Sequence, residues 1–204
     1  MREPKALSDR AIADLSFIRK TMEGAASFTD VSGRGLVAAG LTALLAAAWA
    51  HRQPSGARWL AVWIVAAAVA AIVSAAMMRH KMLRRQANAP MLSVPARKFF
   101  LGFWPAIVAG AVLTAALVEP AMLQAADHAA FGTIAGLWIL LYGVGVITAG
   151  AFSVRAVPLM GVLFLLLGSV ALFTPGLDAD LWLAGGFGAI HIVSGVVIAR
   201  RHGG

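Results

Sequence analysis

One ionisable side chain lies well inside a hydrophobic run of this chain: His191, in the stretch LWLAGGFGAIHIVSGVVI from Leu181 to Ile198. Imidazole at that depth in a bilayer is costly, so it must pair with a polar neighbour or line a cavity. Hydroxyls on Tyr142, Ser74, Thr148 and Ser194 could supply the partner, making His191 a hydrogen-bonded tie between helices. A ligand or proton site is the second option, and haem or metal ligation the third. Haem needs another axial ligand at the same depth, and His51, His80, His128 and His202 all fall at the ends of apolar runs or between them. Gly188 and Gly195 share the helical face of His191, with Ala184 one turn beyond Gly188. Such a strip lets a second helix approach closely, so His191, Gly188, Gly195 and Tyr142 form a candidate ligand or packing site.

Two polar groups offer contact chemistry instead. Arg19, Glu23 and Arg34, with Phe28 among them, frame the stretch SFTDVSGRG, where Ser27, Thr29, Asp30 and Ser32 can cap the helix that follows. Local ion pairing accounts for these charges, since surface pairs contribute only about 0–1 kcal/mol, and a small-ligand or partner site is the sharper alternative. The run RHKMLRRQANAPMLSVPARK, Arg79 to Lys98, carries Arg84 and Arg85. Basic residues beside a membrane contribute roughly 1 kcal/mol each toward anionic headgroups, so lipid is the first expected partner and an acidic protein the second. Nucleic acid is not expected, because no aromatic side chain in the run could stack on bases. Pro90 and Pro95 are expected to keep the second half of this run extended.

Enzyme signatures are missing: there is no HExxH, GxSxG or Walker A pattern, and no aspartate inside an apolar run. The absence of cysteine removes thiolate ligands and thiol nucleophiles. The expectation is therefore no catalytic residue, no metal centre and no cofactor, with haem at His191 the one exception left open.

The elements that must position these residues are helices in a membrane. Hydrophobic residues make up 60% of the chain and charged residues 13%, against roughly 45–50% and about 25% in soluble domains. Six apolar runs, 33–50, 59–78, 99–118, 129–151, 157–174 and 181–198, each approach the ~20 residues that span about 30 Å of hydrocarbon as a helix. Backbone groups in lipid must be satisfied within the segment, and the alternation a barrel would need is absent. Ahead of them, Leu7, Ile12, Leu15, Ile18 and Met22 recur at helical spacing among charges, which predicts an amphipathic interfacial helix in a cytoplasmic segment 1–32. With no apolar leader, insertion is expected to rely on the internal spans. Pairing consecutive spans gives three hairpins in a transmembrane domain 33–199, followed by a tail 200–204. Gly132 and Gly136 make a GxxxG pair in the fourth span.

Orientation follows from Lys and Arg. If the N-terminus is inside, every basic residue except Arg52 and Arg58 falls on the inner side, while Glu119, Asp127, Asp178 and Asp180 fall outside. The positive-inside rule then predicts both termini in the cytoplasm. Trp49, Trp59 and Trp182 fall at the expected outer boundary, and Phe99, Phe100, Phe103 and Trp104 at the inner one, as interfacial belts do.

Two stretches carry a resemblance. IRKTMEGAASFTDVSGRGLVAAG, Ile18 to Gly40, and GFGAIHIVSG, Gly186 to Gly195, are similar to a family of bacterial multi-spanning membrane proteins of uncharacterised function. The pattern is IRxxME, an SF or RF pair and SGxG before the first span, with GFGxxHIxxG in the last. The resemblance implies the same architecture in a bacterial inner membrane and marks Arg19, Glu23, Phe28 and His191. Relatives sit beside small winged-helix regulators, which favours a regulatory role. The leading expectation is thus a non-enzymatic membrane protein acting through a protein partner or as a homo-oligomer, as a sensor, regulator or accessory subunit. A small transporter or channel with a path near His191 is the alternative, and a haem-binding membrane subunit the third.

Overall fold

The computed structural model describes residues 12, 14–18, 31–85, 94–151, 153–174 and 176–202. Among them six helices are long and apolar enough to cross a membrane, and no strand is present. The chain is a multi-pass, all-α membrane protein. Of the amphipathic segment expected over 1–32, residues 14–18 are helical and most of the remainder lies outside the described residues.

The first span is α1, Gly33–Ala50, and it starts where Ser32 accepts a hydrogen bond from the Gly35 amide at 3.2 Å. The second is α2, Gly56–Arg85, 30 residues and so about 45 Å long. It outruns the expected 59–78 because the basic residues after Met78 continue the helix. Residues 79–85 of the run expected as a connection are therefore helical. The third span, α3, Val94–Leu117, has Pro95 in its first turn and Pro105 inside it. Pro95 was expected to hold the chain extended; in a first turn its missing N–H leaves no intrahelical bond unmade.

At the opposite end a short helix α4, Pro120–Gln124, and a 3₁₀ turn, His128–Phe131, lead into the fourth span, α5, Gly132–Gly150. The fifth is α6, Ala156–Phe173. The sixth span is built from three pieces: α7, Ala179–Leu183, a π-helical segment, Ala184–Ile190, and α8, His191–His202. The GGFG sequence thus widens the helix without interrupting it.

Helix packing is organised by glycines seven residues apart. In α5 and α6, which make the most extensive contact in the molecule, Gly143 faces Gly161. A Cβ on Gly143 would stand 2.7 Å from the Leu165 nitrogen and 2.9 Å from the Gly161 carbonyl oxygen. Gly168 and Gly150 continue the same seam against Leu140 and Pro158. In the first and sixth spans, Gly33 meets Gly195 and Gly40 meets Gly188, again antiparallel. A seven-residue period returns to nearly the same face every two turns, which suits long antiparallel seams. Gly132 has open space beside it and Gly136 packs on Leu172. The GxxxG pair is therefore not a joint contact, because only Gly136 lies on the α5–α6 seam.

Spans one and two pack together, as do three and four, whereas the fifth packs chiefly on the fourth and the sixth chiefly on the first. The core holds Trp59, Phe131, Ile139, Val157, Phe164 and Ile198. Spans two and three are peripheral: 6% of the apolar window of each is buried inside the molecule, against 44% for spans one and four.

Candidate functional site

His191 is the first residue after the π-helical segment, 4% exposed, and its Nε2 lies 2.8 Å from the Tyr142 hydroxyl on α5. The pair is walled by aromatic rings. Tyr142 packs on Phe103, Phe164 and Phe187 at centroid distances of 5.2, 4.8 and 5.0 Å, and His191 meets the edge of Phe164 at 5.2 Å. The other ring nitrogen, Nδ1, is buried without a hydrogen-bond partner. Of the other hydroxyls considered from the sequence, Ser74 donates to the Gly35 carbonyl and Thr148 to that of Val144. One hydroxyl and one imidazole enclosed by phenyl rings can share a proton between them and join α5 to the sixth span. Ligation of haem through Nε2 would require that nitrogen to leave Tyr142. Gly188 and Gly195 lie on the seam with α1, so their proximity to His191 in sequence serves a different helix pair.

A second polar cluster lies at the acidic end, around two of the carboxylates that the charge pattern places on the outer side. Asp178 does cap the sixth span, accepting the Asp180 amide on Oδ1 at 2.9 Å. Asp180 is 4% exposed. Its Oδ1 accepts the indole N–H groups of Trp59 at 2.8 Å and Trp63 at 3.0 Å, which one turn of α2 places side by side. Trp59, expected in an interfacial belt, is instead 2% exposed and packs on Phe131 with ring centroids 4.5 Å apart. His51, which follows α1, directs Nδ1 at Asp178 Oδ2 (3.0 Å) and Asp180 Oδ2 (3.7 Å). Buried His128 packs on Trp59 at 5.9 Å. Three spans and a connection thus bring together residues that the sequence scatters.

At the basic end, Arg34 is exposed in the first turn of α1, and Arg84 Nε donates to His80 Nε2 at 2.8 Å. Arg85 closes α2, and Arg19, Glu23 and Phe28 lie outside the described residues. Lys81, not singled out by the sequence, is 7% exposed and donates to the Val31 carbonyl at 3.1 Å.

Comparison with protein-family models, curated proteins and solved structures finds no match. The functional reading therefore rests on the geometry.

Proposed function

We propose that this is a non-enzymatic bacterial inner-membrane protein that works through contacts with another protein, as a sensor, regulator or accessory subunit, with both termini in the cytoplasm. The observation that carries the reading is the uneven burial of the spans. Spans one, four, five and six supply most of the buried core, and spans two and three leave long apolar faces outward, including Ile64, Val65 and Ile72 on α2 and Leu101, Trp104 and Val112 on α3. Lipid can cover such faces, and so can a second membrane protein. The extension of α2 beyond the apolar stretch adds a basic surface around Arg79, His80 and Arg84 that suits anionic headgroups or an acidic partner at the cytoplasmic side.

The interior of the His191 site supports contact over transport: the imidazole is already bonded and ringed by Phe164, Phe187 and Tyr142. The test is purification from native membranes in mild detergent with the mass of the particle measured. A stable hetero-complex or homo-oligomer is expected. A lone monomer that carries substrate flux in liposomes, with flux abolished by His191→Leu, would replace this reading with the transporter.

A further inference from the structure

We propose that His51, Asp178 and Asp180 form a binding site for a first-row divalent transition metal ion, of the Zn²⁺ or Co²⁺ class, at the acidic end of the molecule. The inference is independent of the protein-contact reading.

The argument begins with the oxygens already in use. Asp178 Oδ1 is held by the Asp180 amide, and Asp180 Oδ1 by two indole N–H groups. Both carboxylates are thereby fixed with Oδ2 turned toward the same imidazole nitrogen. Asp180 Oδ2 is buried without a hydrogen-bond partner, on a side chain 5% exposed. A buried carboxylate oxygen in that condition is expensive unless a cation or donor faces it. Here the nearest candidate donor, His51 Nδ1, lies closer to Asp178.

The spacing suits a metal. Bonds of about 2.1 Å from a tetrahedral ion place its ligands roughly 3.4 Å apart. The two nitrogen–oxygen separations, 3.0 and 3.7 Å, fall on either side of that value, and all three ligand atoms lie within 4.8 Å of one another. One imidazole and two carboxylates favour a borderline ion such as Zn²⁺ or Co²⁺ over Ca²⁺ or Mg²⁺, which prefer all-oxygen cages. Three protein ligands leave a position for water, and the exposed His51 side chain gives the ion access from solvent. The Trp59 and Trp63 indoles would orient the buried ligand, as outer-shell donors do in metal sites. A divalent ion also offsets the two negative charges that this site gathers.

Untagged protein, stripped with chelator and titrated with Co²⁺, should take up one equivalent, develop visible d–d absorption and release the ion to Zn²⁺. Asp180→Asn tests the buried ligand but also alters the Trp59–Trp63 anchor, so the decisive variant is His51→Ala, whose side chain is 67% exposed. His51→Ala should retain the wild-type melting temperature without metal and lose at least roughly tenfold in affinity; Trp63→Phe should weaken binding by about tenfold through loss of orientation. Wild-type protein without saturable uptake, or His51→Ala binding as tightly as wild type, overturns the site and leaves a His51–Asp178 pair in its place.

Discussion

Tyr142 and His191 satisfy one another in surroundings that offer little else, so removing one member should hurt more than removing both. Tyr142→Phe leaves Nε2 unpaired among phenyl rings, at an expected cost of about 1–3 kcal/mol. Adding His191→Leu to that variant should recover part of the loss, because two apolar groups need no partner. Unfolding in detergent across the four proteins of the cycle measures the coupling, and simple additivity of the two single losses would refute it. His191 was visible in the sequence because nothing else ionisable sits so deep in an apolar run. Asp180 was not, because a carboxylate at the start of a helix reads as a cap. Its burial comes from Trp59, 121 residues away along the chain, and only the meeting of the second and sixth spans reveals it.

The glycines separate by what faces them. A Cβ on Gly195 would stand 2.6 Å from the Gly33 carbonyl oxygen and 2.8 Å from the Val37 nitrogen, both backbone. On Gly188 it would meet the end of the Leu44 side chain, which can rotate away. Gly195→Ala should therefore destabilise by about 1–3 kcal/mol, Gly188→Ala by clearly less, and Gly132→Ala should be neutral or mildly stabilising, as Ala is the better helix former by roughly 1 kcal/mol. Melting temperatures of the three variants in one detergent give the order, and a Gly188 variant worse than the Gly195 variant would contradict it. The existence of the six spans was legible from hydrophobic runs alone. Which glycines touch was not, since four-residue and seven-residue spacings coexist in α5 and only the partner helix decides between them. The helical continuation of α2 was likewise hidden, because Arg79, Lys81 and Arg84 mark the edge of the hydrocarbon without ending the helix.

For the molecule as a whole, charge asymmetry and uneven burial lead to separate expectations. A reporter fused after Gly204 should remain cytoplasmic, and one inserted between Gln53 and Ser55 should be exported; the reverse pattern would invert the topology. Ile72→Ala and Val112→Ala, on the outward faces of α2 and α3, should change the stability of the isolated protein by no more than about 0.5 kcal/mol while weakening whatever complex is recovered from membranes. Loss of stability without any change in assembly would assign those faces to the fold instead.

One helix spans both polar ends. Lys81 fastens the lower part of α2 to Val31, and eighteen residues earlier in that helix Trp63 grips Asp180, roughly 27 Å away along the axis. In mechanical terms α2 is a strut pinned at both ends. Any tilt that frees its basic tip must disturb its packing on α1 and either break the lysine anchor or swing the indoles, so a force applied where the chain enters the first span is passed along the two helices to the buried carboxylate at the far end.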